Sequence, residues 1–171
     1  RGWPVYRGSQ FSTISCLVFI SSLLYAMIKL NLPAFDYKLK KADGKVWIFD
    51  GIRKKYVVLT PEEWVRQHFV QYLIHVLSYP KALVKIEGGL HYNQLAKRSD
   101  IVVFNRAGNP WMVVECKAPE IKLRQQDAQQ VAVYNSTLKA SYVVITNGLR
   151  HLCFEMATEI KSLPELPAYP A

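Results

Sequence analysis

Three charged residues in the middle of the chain have the types and spacing to do chemistry: Asp100, Glu115 and Lys117. Asp100 heads the apolar run "DIVVF". Beyond a turn marked by Gly and Pro, "NRAGNP", a second run, "WMVVECK", closes on Glu115-Cys116-Lys117. Residues i and i+2 of a strand share a face, so Glu115 and Lys117 point one way and Cys116 the other. A hairpin joining the two runs sets Asp100 near Glu115. Two adjacent carboxylates repel unless a cation stands between them, and a hard ion such as Mg²⁺ (or Mn²⁺) is commonly held by one or two carboxylates plus a substrate phosphate. The peptide carbonyl of Cys116 offers a further oxygen. Lys117 could orient an attacking water or stabilise charge on a phosphate. That is a minimal kit for hydrolysing a phosphodiester. The same residues also read as a strand cap and an ordinary cross-face ion pair, because acid-x-Lys spacing often arises by chance.

The elements that would position these residues follow from periodicity. "KVWIFD-GIRK-KYVVL" is two short β-rich runs around Asp50-Gly51, a hairpin signal. "TPEEWVRQHFVQYLIHVL" predicts an amphipathic helix, with Thr60 as N-cap, Pro61 first, Glu63 completing a capping box, and Trp64, Val65, Phe69, Tyr72 and Leu73 at helical spacing. "ALVKIEGGLHY" alternates like a strand, "LRQQDAQQVAVYNSTL" reads as a second helix, and "SYVVITNG" and "HLCFEM" read as two more strands. Strands that run together and then alternate with a helix predict an α/β fold, a mixed β-sheet flanked by helices, with an N-terminal β-hairpin.

The bulk numbers narrow the class. A chain of 171 residues, half of them hydrophobic, is long enough for one domain with a real core. A formal net charge of +9 points to a polyanionic partner, nucleic acid or an anionic membrane surface. Cys16, Cys116 and Cys153 form no CxxC pair and do not cluster with the histidines at zinc spacing. A structural zinc or disulfide framework is therefore not expected, and a reducing, cytoplasmic setting is. No P-loop occurs, so this chain shows no sign of an NTP-driven motor.

Residues 1–32 differ from the rest. Before Tyr25 the only charges are Arg1 and Arg7, and residues 14–30 are nearly all apolar, Ser or Thr. The expectation is that Met27 is the natural start and residues 1–26 an upstream extension. A signal or membrane anchor over 14–30 and a packed helix are the alternatives. Residues 45–156 are expected to form the domain, and 157–171 a Pro-rich tail without its own core.

The ordered set "RSDIVVF…MVVECKAPE" followed by "QQVAVYN" resembles the PD-(D/E)XK nuclease superfamily, and most closely the N-terminal nuclease domain of type I restriction enzyme R subunits. Asp100 precedes an apolar strand, Glu115-x-Lys117 closes the next, Ala118-Pro119 follows, Gln130 and Tyr134 lie on the helix beyond, and "VVITNG" comes after. The "TPEEWVRQHF" helix resembles the family's first helix, where an acidic residue often reaches toward the metals, and Glu63 is the matching position. Ser99 stands where the superfamily name has Pro.

The resemblance implies a restriction-endonuclease-like αβββαβ core and a Mg²⁺-dependent DNA endonuclease. In that family's terms Asp100, Glu115 and the Cys116 carbonyl would hold the metal, Lys117 would serve the water, and Glu63 would be an auxiliary acid. Gln130 and Tyr134 would support DNA or site geometry. Lys97 and Arg98 flank Asp100 and could contact the phosphate backbone, or be solvated surface. Glu87 is a further candidate acid, weighed against a solvated strand end. His75 and His91 read as packing or surface residues, and Cys116 faces the wrong way for a nucleophile. Partners implied are DNA, restriction motor or specificity subunits, and a second copy of the chain, since nucleases of this fold often dimerise. The alternative function is a non-catalytic DNA-binding module of the same fold.

Overall fold

The computed structural model describes residues 28–86, 100–124 and 139–170. Strands β1 (Leu39–Ala42), β2 (Lys45–Asp50) and β3 (Lys55–Val58) form an antiparallel sheet in that order. Helix α1 (Pro61–Gln71) follows, and its last turn, Tyr72–Val76, widens into π geometry. A second sheet runs β4 (Val84–Ile86), β5 (Ile101–Phe104), β6 (Pro110–Cys116), β7 (Tyr142–Thr146), β8 (His151–Met156) and β9 (Ile160–Leu163). All its neighbours are antiparallel except β6 and β7. The architecture is mixed α/β. The hairpin expected at Asp50-Gly51 is β2–β3, with β1 added to its free side. The second helix expected from Leu123 falls almost wholly outside the described residues, as do the expectations for residues 1–26.

The start of α1 forms for the reason its sequence suggests. Thr60 Oγ accepts the Glu63 backbone N–H at 3.0 Å, with Pro61 at the first position, where its missing N–H costs nothing. Thr60→Ala should cost about 1 kcal/mol, read from the urea midpoint. The expected reciprocal half of the box has a competitor: Glu63 turns its carboxylate to Arg53, Arg66 and Gln67. The apolar face of α1, with Trp64, Val65, Phe69 and Leu73, shares one core with Ile48 of the first sheet and Ile101, Met112 and Val114 of the second. Each such side chain contributes roughly 1.5–3 kcal/mol on burial, which joins helix and both sheets into one unit.

His68 is buried in this unit, its ring 4.1 Å from Trp64 and 4.7 Å from Phe35, with Nδ1 2.9 Å from the Trp64 carbonyl. Burial pushes its pKa down to about 4, and the hydrogen bond to Trp64 offsets only part of that. The unfolded chain therefore binds a proton that the folded chain refuses between about pH 6.5 and 4. Stability should fall through that window, by up to about 3 kcal/mol at 1.4 kcal/mol per pH unit. Urea denaturation from pH 7.5 to 4.5 measures it, and His68→Gln should flatten the dependence.

The C-terminal residues lean on the same core. Tyr79 donates to the Pro167 carbonyl at 2.5 Å and Tyr169 to the Phe104 carbonyl at 2.9 Å, around a Tyr79–Trp111–Tyr169 ring cluster.

Candidate active site

The β5–β6 hairpin pairs Ile101 with Val114, and one step further along brings Asp100 opposite Glu115. Asp100 Oδ2 accepts the Cys116 backbone N–H at 2.6 Å, which fixes the carboxylate at the mouth of the hairpin. Glu115 and Lys117 share a face as period-two alternation requires, and Lys117 Nζ donates to Glu115 Oε1 at 2.7 Å. Cys116 points the other way and is fully buried; burial pushes its thiol well up, so it stays protonated and is no nucleophile. The Cys116 residue pairs with Thr146 of β7, and the Lys117 N–H donates to the Thr146 carbonyl at 2.8 Å, so the parallel neighbour anchors this strand end.

Helix α1 supplies the opposite wall. Arg66, only 6% exposed, donates to Asp100 Oδ1 at 2.5 Å, to Glu62 at 3.0 Å, and to Glu63. Glu63 also accepts from Arg53 and from Gln67, at 2.7 Å each. Arg53 and Gln67 in turn hold Asp50, which is completely buried at the β2–β3 turn. Burial works against the charge on Arg66, but Asp100 and Glu63 outweigh it and raise its pKa further. Glu62 is held above the ordinary carboxylate range by partial burial and by the charge of Asp100, with Arg66 and Lys117 pulling the other way. Burial would lower the Lys117 pKa, but the hydrogen bond and charge of Glu115, with Glu62 and Asp100 behind it, raise it. Lys117 is therefore a cation in this setting.

The structure brings together Asp100, Glu115, Lys117 and the Cys116 backbone. Glu63 lies behind them: both oxygens are taken by inward partners, and among the described residues it is linked to Asp100 through Arg66. The neighbouring Glu62, with a side chain 46% exposed, feels the charge of Asp100 and in turn acts on Lys117. Glu62 and Arg66 were not singled out from the sequence, although the Glu-Glu-x-x-Arg spacing puts a cation one helical turn past two acids. Lys97, Arg98, Gln130 and Tyr134 lie outside the described residues, as do Glu87 and His91.

Among the described residues no group of three His, Cys, Asp or Glu side chains converges closely enough to hold a metal ion. Asp100 and Glu115 are two hard oxygen donors, a number that suits Mg²⁺, which completes its shell with water and phosphate. Charge also fits. Among the described residues, Asp50, Glu62, Glu63, Asp100 and Glu115 face Arg53, Arg66 and Lys117, an excess of two acids over bases. A divalent cation matches that excess. Chemically, the cluster can gather an anionic phosphate, a cation and a water at one strand end.

Comparison with known proteins places these observations. Residues 61–170 match the family model described as type I restriction enzyme R protein N terminus (HSDR_N). A solved fragment assigned as an HsdR subunit of a type I restriction enzyme from Vibrio vulnificus YJ016 is similar at 29% identity over 50% of this chain, with a TM-score of 0.36. The aligned part is 16% of that solved chain. No curated protein matches. Among the described residues no helix is long and apolar enough to cross a membrane.

Proposed function

This chain belongs to the type I restriction enzyme R protein N-terminal family, and we propose that it is a Mg²⁺-dependent DNA endonuclease of the PD-(D/E)XK kind with a restriction-endonuclease-like core. The observation that carries this reading is the juxtaposition of Asp100, Glu115 and Lys117 at the joined ends of β5 and β6. In this reading residues 45–156 form the nuclease domain. It works beside restriction motor or specificity subunits in the cytoplasm, where the buried free thiols of Cys116 and Cys153 remain reduced.

The reaction is hydrolysis: a water oxygen bonds to phosphorus and gives up one proton to solvent, the bond from phosphorus to the leaving sugar oxygen breaks, and that oxygen takes up a proton from solvent. A bound divalent cation supplies charge neutralisation at the phosphate during this exchange. Asp100, Glu115 and the Cys116 carbonyl would hold that cation. Lys117 keeps its proton, orients the water, and stabilises charge on the phosphate oxygens. The Cys116 N–H and Arg66 hold Asp100 in position. Glu62, half-exposed beside them, can accept a hydrogen bond from water entering the site.

A second reading is favoured by one observation: Asp100 is held on both oxygens, by Arg66 and by Cys116 N–H. In a non-catalytic DNA-binding module, Arg66 would stand permanently in place of the cation. Purified protein incubated with plasmid and linear DNA separates the two. Cleavage that needs Mg²⁺ or Mn²⁺ and stops in EDTA supports the nuclease, and DNA binding in EDTA with no cleavage in either metal supports the module.

A further inference from the structure

The first sheet lies ahead of the residues that match the family model, and its two faces differ. Val46, Ile48 and Asp50 of β2 point inward and are buried, so Lys45, Trp47 and Phe49 point outward. Register carries Lys40 of β1 to Trp47, and Tyr56 of β3 to Phe49, on that same outer face. Three aromatic rings therefore share this face, Trp47 and Phe49 along β2 and Tyr56 opposite Phe49 on β3. Phe49 and Tyr56 meet edge-on at 5.3 Å, and the Trp47 indole is steadied by its N–H donating to the Ala42 carbonyl at 3.2 Å. None of the three belongs to the hydrophobic core or packs against it among the described residues.

Lysines rim these rings. Lys40 Nζ lies 4.5 Å from the Tyr56 ring and 5.6 Å from the Trp47 ring, and Lys38, Lys45 and Lys54 are exposed. The acids of this stretch only partly offset them: Asp50 faces inward and is ion-paired to Arg53, which leaves the exposed Asp36 and Asp43. Rings half-exposed on an antiparallel sheet, rimmed by lysines, are what unpaired bases stack on while their phosphates are neutralised. Duplex DNA keeps its bases stacked on each other and has no use for such rings. The sheet is also continuous with the candidate site, because Arg53 at the β2–β3 turn bonds Glu63 at 2.7 Å, and Glu63 joins Arg66 and Asp100.

We propose that the outer face of β1–β3 binds single-stranded DNA, with Trp47, Phe49 and Tyr56 stacking on bases and Lys38, Lys40 and Lys45 neutralising phosphates. The choice of DNA over RNA rests on the nuclease reading; the stacking surface does not. Fluorescence anisotropy of the full chain with a labelled 20-mer oligothymidine in EDTA tests it, since no cleavage then interferes. Wild type should bind the single strand more tightly than the duplex of the same length. Trp47→Ala/Tyr56→Ala should weaken single-strand binding by tenfold or more, on the order of what base stacking contributes. Because loss of those rings could loosen the sheet, a second variant, Lys38→Ala/Lys40→Ala/Lys45→Ala, is read beside it. It should reduce the slope of log affinity against log salt by roughly 2, at about 0.7 per phosphate contact.

Equal affinity for single strand and duplex, or a salt slope unchanged in the lysine variant, overturns the proposal. So does binding to phosphatidylserine vesicles with none to the oligonucleotide. Tighter binding of an oligouridine overturns the choice of DNA. Failure of the nuclease reading looks different: cleavage is absent while ring-dependent binding in EDTA persists.

Discussion

Lys117→Ala should abolish most metal-dependent DNA cleavage while leaving the fold in place. The Lys117 side chain is 38% exposed, and it is ion-paired to Glu115, itself 28% exposed. Pairs of that exposure contribute at most about 1 kcal/mol, so the variant should unfold at nearly the wild-type urea concentration. Its catalytic loss should be far larger. Among the described residues Lys117 is the cation that faces outward at the strand end, whereas Arg53 and Arg66 are committed to buried carboxylates. Removing one preorganised donor aimed at developing charge lowers rates by roughly 10²–10³-fold. The initial rate of supercoiled-plasmid nicking in Mg²⁺ measures it. A rate within a few-fold of wild type would remove Lys117 from the mechanism and leave the Glu115–Lys117 pair as a surface ion pair.

The second large effect is on stability. Arg66→Ala deletes a side chain that joins Glu62, Glu63 and Asp100. Asp100 and Glu63 are 9% and 5% exposed, so without Arg66 two carboxylates stay buried with their charge poorly compensated. Asp100 keeps the Cys116 N–H, and Glu63 keeps Arg53 and Gln67, so the loss is partial. Breaking a buried pair from one side typically costs 3–5 kcal/mol, and we expect a cost of about that size in urea denaturation. Added Mg²⁺ should restore part of it, because a ligand that binds only the folded state stabilises that state. A loss below about 1 kcal/mol would mean that the acids relax to solvent and that Arg66 does not hold the site together.

Much of the site was legible because it rests on local rules. Period-two alternation put Glu115 and Lys117 together and turned Cys116 away, and the Gly- and Pro-marked turn between two apolar runs returned Asp100 to the end of β6. The N-cap of α1 was readable from Thr60 and Pro61 for the same reason. What escaped depends on partners far along the chain. Asp50 looked like a turn residue, and it does accept the Ile52 and Arg53 N–H groups, but its burial is set by Gln67, seventeen positions on. Glu62 and Glu63 are adjacent on the helix, and periodicity could not say which would turn inward; Arg53, ten residues back, claims Glu63. Arg66 meets Asp100 across thirty-four positions, a contact no local pattern encodes.

Strands β1 and β9 were missed for a different reason. Their sequences, "LKKA" and "IKSL", have neither alternation nor an apolar run. They are edge strands, held by pairing with β2 and β8 rather than by burial, and lysine on an edge is how sheets discourage further pairing.

The most direct test of the central claim is a crystal structure of the protein soaked in Mn²⁺, with the metal located by anomalous scattering. The account predicts a peak within coordination distance of both Asp100 and Glu115, with Lys117 Nζ close by, and loss of that peak in Asp100→Asn. A strong peak elsewhere, or none while Arg66 keeps its bond to Asp100 at saturating Mn²⁺, would contradict it and leave the hairpin as a charge-paired structural element.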